Sequence, residues 1–165
     1  MPHRVKQVEA IAHGTVIDHI PPEATLRVAR LLARPNDQVF IGINLRSEKM
    51  GTKGVVKIAE RELDPGTISR LALTAPAATM CIIRDYVVVQ KGPIPVPDTL
   101  REVCRCPNPN CITNHERCAT HFDRDAQRLW RCAYCERHFP TSELASSEFA
   151  AVPEKTVRIT KSATS

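Results

Sequence analysis

The chain has 165 residues, 42% hydrophobic and 25% charged, with a formal charge of +5 and seven cysteines. Such a length divides into one or two small domains, and no apolar run approaches the ~20 residues that span a bilayer, so no membrane partner is implied. Gln7 and Glu9 interrupt the first apolar stretch, which is therefore not of the secretory kind, and the expected compartment is the cytoplasm.

In chain order, short β-rich runs alternate with two amphipathic segments, the pattern of an α+β domain. Val8-Glu9-Ala10-Ile11 and Thr15 to Ile20 flank Gly14 as the first runs. A helix is expected after Pro21-Pro22, with Leu26, Val28, Ala29, Leu31 and Leu32 inward and Arg27, Arg30 and Arg34 toward water, ended by Pro35-Asn36-Asp37. Gln38 to Leu45 alternates strictly through Val39, Ile41, Ile43 and Leu45, as a half-buried strand does. Lys53 to Ala59 continues the strand series. Asp64-Pro65 opens the second helix, an acidic N-cap followed by proline at the first helical position, which carries Ile68, Leu71 and Ala72 inward until Ala75-Pro76. Thr79 to Lys91 reads as strand.

These elements predict a ferredoxin-like, mainly antiparallel sheet of four or five strands with two helices on one face. Gly92-Pro93-Ile94-Pro95-Val96-Pro97 has proline at alternate positions, cannot continue a central strand and marks a boundary. The division is thus residues 1–97, then a small all-β zinc ribbon over 98–152. Residues 153–165 are expected to form a mobile tail, since periodicity and large apolar side chains fade from about Ser146.

Four of the seven cysteines lie in two close pairs, Cys106-x4-Cys111 and Cys132-x2-Cys135, with twenty residues between the pairs. The odd total and this spacing suit metal coordination better than disulfides. Two such knuckles converge tetrahedrally on one Zn2+, and four thiolates leave it no open position, so the site is structural. Pro107-Asn108-Pro109-Asn110 turns the first knuckle and directs backbone amides at sulfur. Cys104, Cys118, His115, His121 and His138 are nearby alternatives, and a set of reduced buried cysteines is the bland reading. With few large apolar groups (Phe122, Leu129, Trp130 and Phe139) the ribbon depends on its metal.

A catalytic reading finds no support: the chain has no GxSxG, P-loop or HExxH, and Asp18-His19 would point to opposite faces of a regular strand. Lys53, Lys57 and Lys91 sit on or beside predicted strands with Tyr86 and Val88, an arrangement that could pair with phosphates while a base and sugar rest on the sheet. Two rivals stand beside this. One is a nucleic-acid-binding ribbon, from a pI near 8.9 and Arg124, Arg128 and Arg131, though 4% aromatics offer few stacking platforms. The other is a thiol redox enzyme using Cys132 and Cys135.

Gly14-Thr15-Val16-Ile17-Asp18-His19-Ile20-Pro21, Ile41-Gly42-Ile43-Asn44-Leu45, Met50-Gly51-Thr52-Lys53, Ala75-Pro76-Ala77-Ala78-Thr79, Cys106-Pro107-Asn108-Pro109-Asn110-Cys111 and Cys132-Ala133-Tyr134-Cys135-Glu136 together resemble the aspartate carbamoyltransferase regulatory chain, over about residues 7 to 150. The resemblance implies a non-catalytic subunit of pyrimidine biosynthesis. Its N-terminal domain would bind CTP, ATP and UTP, and its zinc domain would dock on catalytic chains that join carbamoyl phosphate to aspartate. It also implies a nucleotide pocket of Ile11, Val16, Asp18, His19, Lys53, Val55, Lys57, Ile83, Tyr86, Val88 and Lys91. A catalytic-chain interface at Asn108, Asn110, Glu136 and Arg137 and a regulatory-chain homodimer are implied in the same way. Cys81 stands where the family's best-known member has an asparagine, and Ala133 where the family often has a lysine.

Overall fold

The computed structural model describes residues 9–147. The expected strand at Val8 and the tail at 153–165 lie outside those residues. The first sheet is built from β1 (Gly14–Ile20), β2 (Val39–Ser47), β3 (Gly51–Ala59), β4 (Thr79–Arg84) and β5 (Val87–Pro93). Its order is β2-β3-β1-β4-β5, and every neighbouring pair is antiparallel. Helix α1 (Thr25–Leu32) carries the chain from β1 to β2, and α2 (Pro65–Thr74) from β3 to β4. Each crossover skips one strand, which is the split βαβ arrangement with β5 added at one edge.

Both helices cover one face. Ile17 and Ile20 of β1, Val56 and Ile58 of β3, Val28, Ala29 and Leu32 of α1, and Leu71 and Ala72 of α2 form its core. Asp64 caps α2 as expected, accepting from the Thr67 amide at 2.9 Å. Gly54 lets α1 approach β3, and Gly14, at φ +133, does the same for the Ile58 carbonyl.

Several expectations are corrected. Residues 9–11 form no strand but lie across the uncovered face, where Ile11 packs with Cys81 and Ile83. The first helix begins one turn late, after a 3-10 turn at Pro22–Ala24, and its Leu26 is 52% exposed. Ile41 and Ile43 are exposed on β2, which is an edge strand with no neighbour beyond it. The run from Thr79 to Lys91 is a hairpin: Asp85 and Tyr86 both take left-handed φ (51° and 63°), the two-residue turn whose twist matches the strands. Gly92 and Pro93 belong to β5, which tolerates proline because it too is an edge.

The second sheet has the order β6-β7-β8-β9, from β6 (Thr99–Arg101), β7 (His121–Arg124), β8 (Trp130–Cys132) and β9 (His138–Phe139). Phe122 and Phe139 meet edge-on at 6.5 Å between ring centroids. A short helix that the sequence did not signal, α3 (Thr141–Ser146), closes this domain, and Trp130 Nε1 donates to Thr141 Oγ1 at 3.1 Å. Helix α3 packs on α2, so Leu73 of α2 is buried in the second core with Trp130, Phe122 and Leu144.

Candidate metal centre and nucleotide face

The four sulfurs of Cys106, Cys111, Cys132 and Cys135 lie within 4.8 Å of one another. Cys106 and Cys135 are 3.7 Å apart, Cys111 and Cys132 3.8 Å. A tetrahedron with ~2.3 Å zinc–sulfur arms has edges of about 3.8 Å, so the set has the dimensions of one zinc site and is far too open for disulfides.

The knuckles also supply the expected amides. Asn108 N–H donates to the Cys106 sulfur, Tyr134 and Cys135 N–H to that of Cys132, and Arg137 N–H to that of Cys135. Burial pushes the Cys106 and Cys132 thiols up despite these bonds. Burial also works against the Cys135 thiolate, but the Arg137 amide, the Asn108 side chain and the neighbouring sulfurs outweigh it and bring that thiol down to about 7. A bound cation would displace the remaining protons.

The alternative ligands are engaged elsewhere. His115 Nε2 lies 2.8 Å from the Pro109 carbonyl, His121 Nε2 2.8 Å from Asp123, and His138 Nε2 3.5 Å from Asp125. Cys104 is fully buried core, its thiol pushed up to about 11 by burial, and Cys118 points at the Glu116 carbonyl. Two supports went unread in the sequence. Asn114 Nδ2 donates to the carbonyls of Cys106 and Asn108, at 3.0 and 2.8 Å, and Thr113 Oγ1 donates to the Cys111 sulfur at 3.2 Å. A polar residue just past a cysteine knuckle is their only signal.

On the face of the first sheet away from the helices, the register puts Phe40, Lys57, Val16, Cys81 and Lys91 in one row across all five strands. Beside it are Val55, opposite Gly42, and Asp18, opposite Thr79; Ile83 lies one step the other way, opposite Val88. Ile11 covers this end. Tyr86, 70% exposed, sits at the hairpin tip and donates its amide to the Ala12 carbonyl at 2.9 Å. Of the sequence-predicted positions, Ile11, Val16, Asp18, Val55, Lys57, Ile83, Val88 and Lys91 are thus gathered on one face, with Tyr86 at its hairpin end.

Asp18 and His19 depart from regular strand geometry. An extra residue in β1, between the pairs Ile17 with Val56 and Ile20 with Gly54, forms a bulge with His19 at φ 56°. The imidazole Nδ1 therefore comes within 3.6 Å of Asp18 Oδ2 instead of pointing to the opposite face. Asp18 accepts from Lys53 Nζ and from the His19 amide. Burial tends to raise its carboxyl, but those two partners prevail and hold it below the usual range. Lys57 Nζ donates to the Glu9 carbonyl at 2.7 Å, a contact no strand pattern signals.

At the ribbon, Asn110, Glu136 and Arg137 are exposed, and Asn108 is buried, its carbonyl taking the Cys111 amide at 3.0 Å. The Glu136 carboxylate accepts from Arg131 at 2.6 Å.

Residues 6–94 match the family model described as the aspartate carbamoyltransferase regulatory chain, allosteric domain, and residues 98–145 its metal binding domain. The chain belongs to that family. The regulatory chain of Thermococcus kodakarensis is 39% identical over 153 residues, 89% of this chain and 99% of the relative. That of Pyrococcus abyssi is 42% identical over 148 residues (86% and 97%), and that of Porphyromonas gingivalis W83 46% over 134 residues (79% and 89%). The aspartate carbamoyltransferase regulatory chain is not the catalytic subunit, and its metal-binding domain here carries a four-cysteine cluster that fits one structural zinc ion. Among the described residues no helix is long and apolar enough to cross a membrane.

Proposed function

We propose that this chain is the allosteric subunit of aspartate carbamoyltransferase, binding CTP, ATP and UTP on the open face of its first sheet and docking on catalytic chains through its zinc knuckles. Nucleotide control then lies in residues 1–97 and attachment in 98–152, in a cytoplasmic enzyme of pyrimidine biosynthesis. The observation that carries the reading is the row of Lys57, Val16, Cys81 and Lys91, flanked by Asp18 and Lys53. Ammonium groups among apolar side chains suit a triphosphate, a carboxylate suits ribose hydroxyls, and main-chain groups near Ile11 and Tyr86 suit a base edge. Allosteric control follows if the effector binds two states of the holoenzyme with different affinity, a difference typically of about 1–3 kcal/mol.

Docking is supported by the rigidity that four thiolates give to Asn110, Glu136 and Arg137 above the buried Asn108. A homodimer is supported by Leu26, Ile41 and Ile43, large apolar side chains exposed on α1 and the β2 edge. Nucleic acid suits the molecule less well. Between residues 98 and 145 seven arginines meet seven carboxylates, and a zinc tetrathiolate adds about two negative charges.

Calorimetry of the zinc-loaded chain with CTP, ATP and UTP tests the pocket. Lys57→Ala and Lys91→Ala are each expected to weaken binding about tenfold, and unchanged titrations would discard the site. Mixing the chain with aspartate carbamoyltransferase catalytic trimers tests docking, and absence of a complex would discard it.

A further inference from the structure

We propose that the ion pair between Asp18 and Lys53 is a discriminator within the nucleotide face: it admits ligands that bring sugar hydroxyls together with a polyphosphate and disfavours polyphosphate alone. The inference rests on the nucleotide reading above. Lys53 Nζ lies 2.7 Å from Asp18 Oδ1 and 3.0 Å from Oδ2, so one ammonium serves both carboxylate oxygens. Both side chains are about four-fifths buried, at 20% and 23% exposure. The bulge at His19 holds the carboxylate in place by donating the His19 amide to Oδ1 at 2.7 Å.

A phosphate chain that captures Lys53 draws its ammonium away from Asp18. That leaves a largely buried carboxylate without its counter-charge and sets further negative charge beside it, and an unpaired, desolvated charge is a strong penalty against the wrong ligand. A nucleotide offers hydroxyl donors to Asp18 in the same event, so the exchange leaves no group unpaired. Lys57 and Lys91 lie in the adjoining row and attract any polyphosphate alike. Affinity and selectivity thereby reside in different residues: Lys57 and Lys91 supply attraction, and Asp18 sets the condition for using Lys53.

The test is calorimetry on the full zinc-loaded chain with CTP and with inorganic tripolyphosphate, for wild type, Asp18→Asn and Lys53→Met. The urea midpoint followed by far-UV circular dichroism verifies folding of the first domain, and zinc content that of the second. Asp18→Asn is expected to tighten tripolyphosphate about tenfold and to weaken CTP, whereas Lys53→Met weakens both. A purely structural role for Asp18 would move the two ligands in the same direction. Asp18→Ser, neutral and smaller, carries the same expectation should the amide not be accommodated. Tripolyphosphate binding that is unchanged or weaker in the Asp18 variants, with wild-type CTP binding intact, overturns the discriminator and leaves the nucleotide reading standing. A wild-type chain that binds none of CTP, ATP and UTP overturns both.

Discussion

Gly54 lies so close to Thr25 that a Cβ on it would stand 1.8 Å from the Thr25 hydroxyl and 2.7 Å from its Cβ. The two residues belong to different layers, β3 and the first turn of α1, and Thr25 is fully buried with Oγ1 donating to the Pro21 carbonyl at 3.1 Å. Gly54→Ala must push the helix off the sheet. The expected loss is about 1–3 kcal/mol, read from the urea midpoint. A midpoint equal to wild type would mean that α1 yields freely.

Asp64 makes stability depend on acid in a defined direction. Its carboxylate accepts from the Thr67 amide, from the Thr67 hydroxyl at 2.7 Å and from Arg34 at 3.0 Å. Burial works to raise its carboxyl, but Thr67 and Arg34 outweigh it, so the folded pKa lies below the ordinary value. A depressed carboxyl contributes stability above its unfolded pKa and loses it as pH falls through the folded one. Asp64→Ala is expected to cost about 1 kcal/mol at pH 7, with the gap to wild type closing below about pH 4. A gap that persists undiminished at pH 2 would contradict the assignment.

Metal removal has an optical reporter. Trp130 is the only tryptophan and is fully buried in the zinc-domain core. Chelation is expected to shift its emission to the red and to abolish binding to catalytic trimers, and added Zn2+ should restore both. Emission that stays blue in excess chelator would show a core that stands without metal.

Leu71 and Leu73 are two residues apart on α2 yet serve different cores. Either change to Ala is expected to cost about 2–5 kcal/mol. Only Leu73→Ala should hasten zinc release to a chelator, because only Leu73 packs in the domain that holds the cysteines. Equal release rates for the two variants would show that α2 does not support the ribbon.

Legibility in the sequence followed the range of each interaction. The cysteine knuckles and the Asp64-Pro65 cap are local, since a few consecutive residues contain all the geometry, and both stand in the fold as read. The lysines of the open face could be set on or beside strands from the sequence, but their grouping with Val16 and Val55 came from family resemblance alone. Alternation could identify Ile41 and Ile43 as apolar but not reveal what covers them, because that depends on where β2 falls in the sheet. The left-handed turn at Asp85 and Tyr86 carries no glycine or asparagine to announce it. Helix α3 has six residues, too few for periodicity to register, and is held by Trp130 and α2.

The extra residue in β1 has a consequence for how length, rather than residue type, writes a site. Ile17 and Ile20 both enter the core although they are three apart, and the two positions between them are Asp18 and His19. A regular strand would allow only one side chain between two inward isoleucines. A chain one residue shorter here would fold with the same core and a straighter strand, yet hold one of this acid and imidazole pair instead of both. Among related chains, a gap at this point is therefore expected to alter ligand preference while leaving thermal stability nearly untouched.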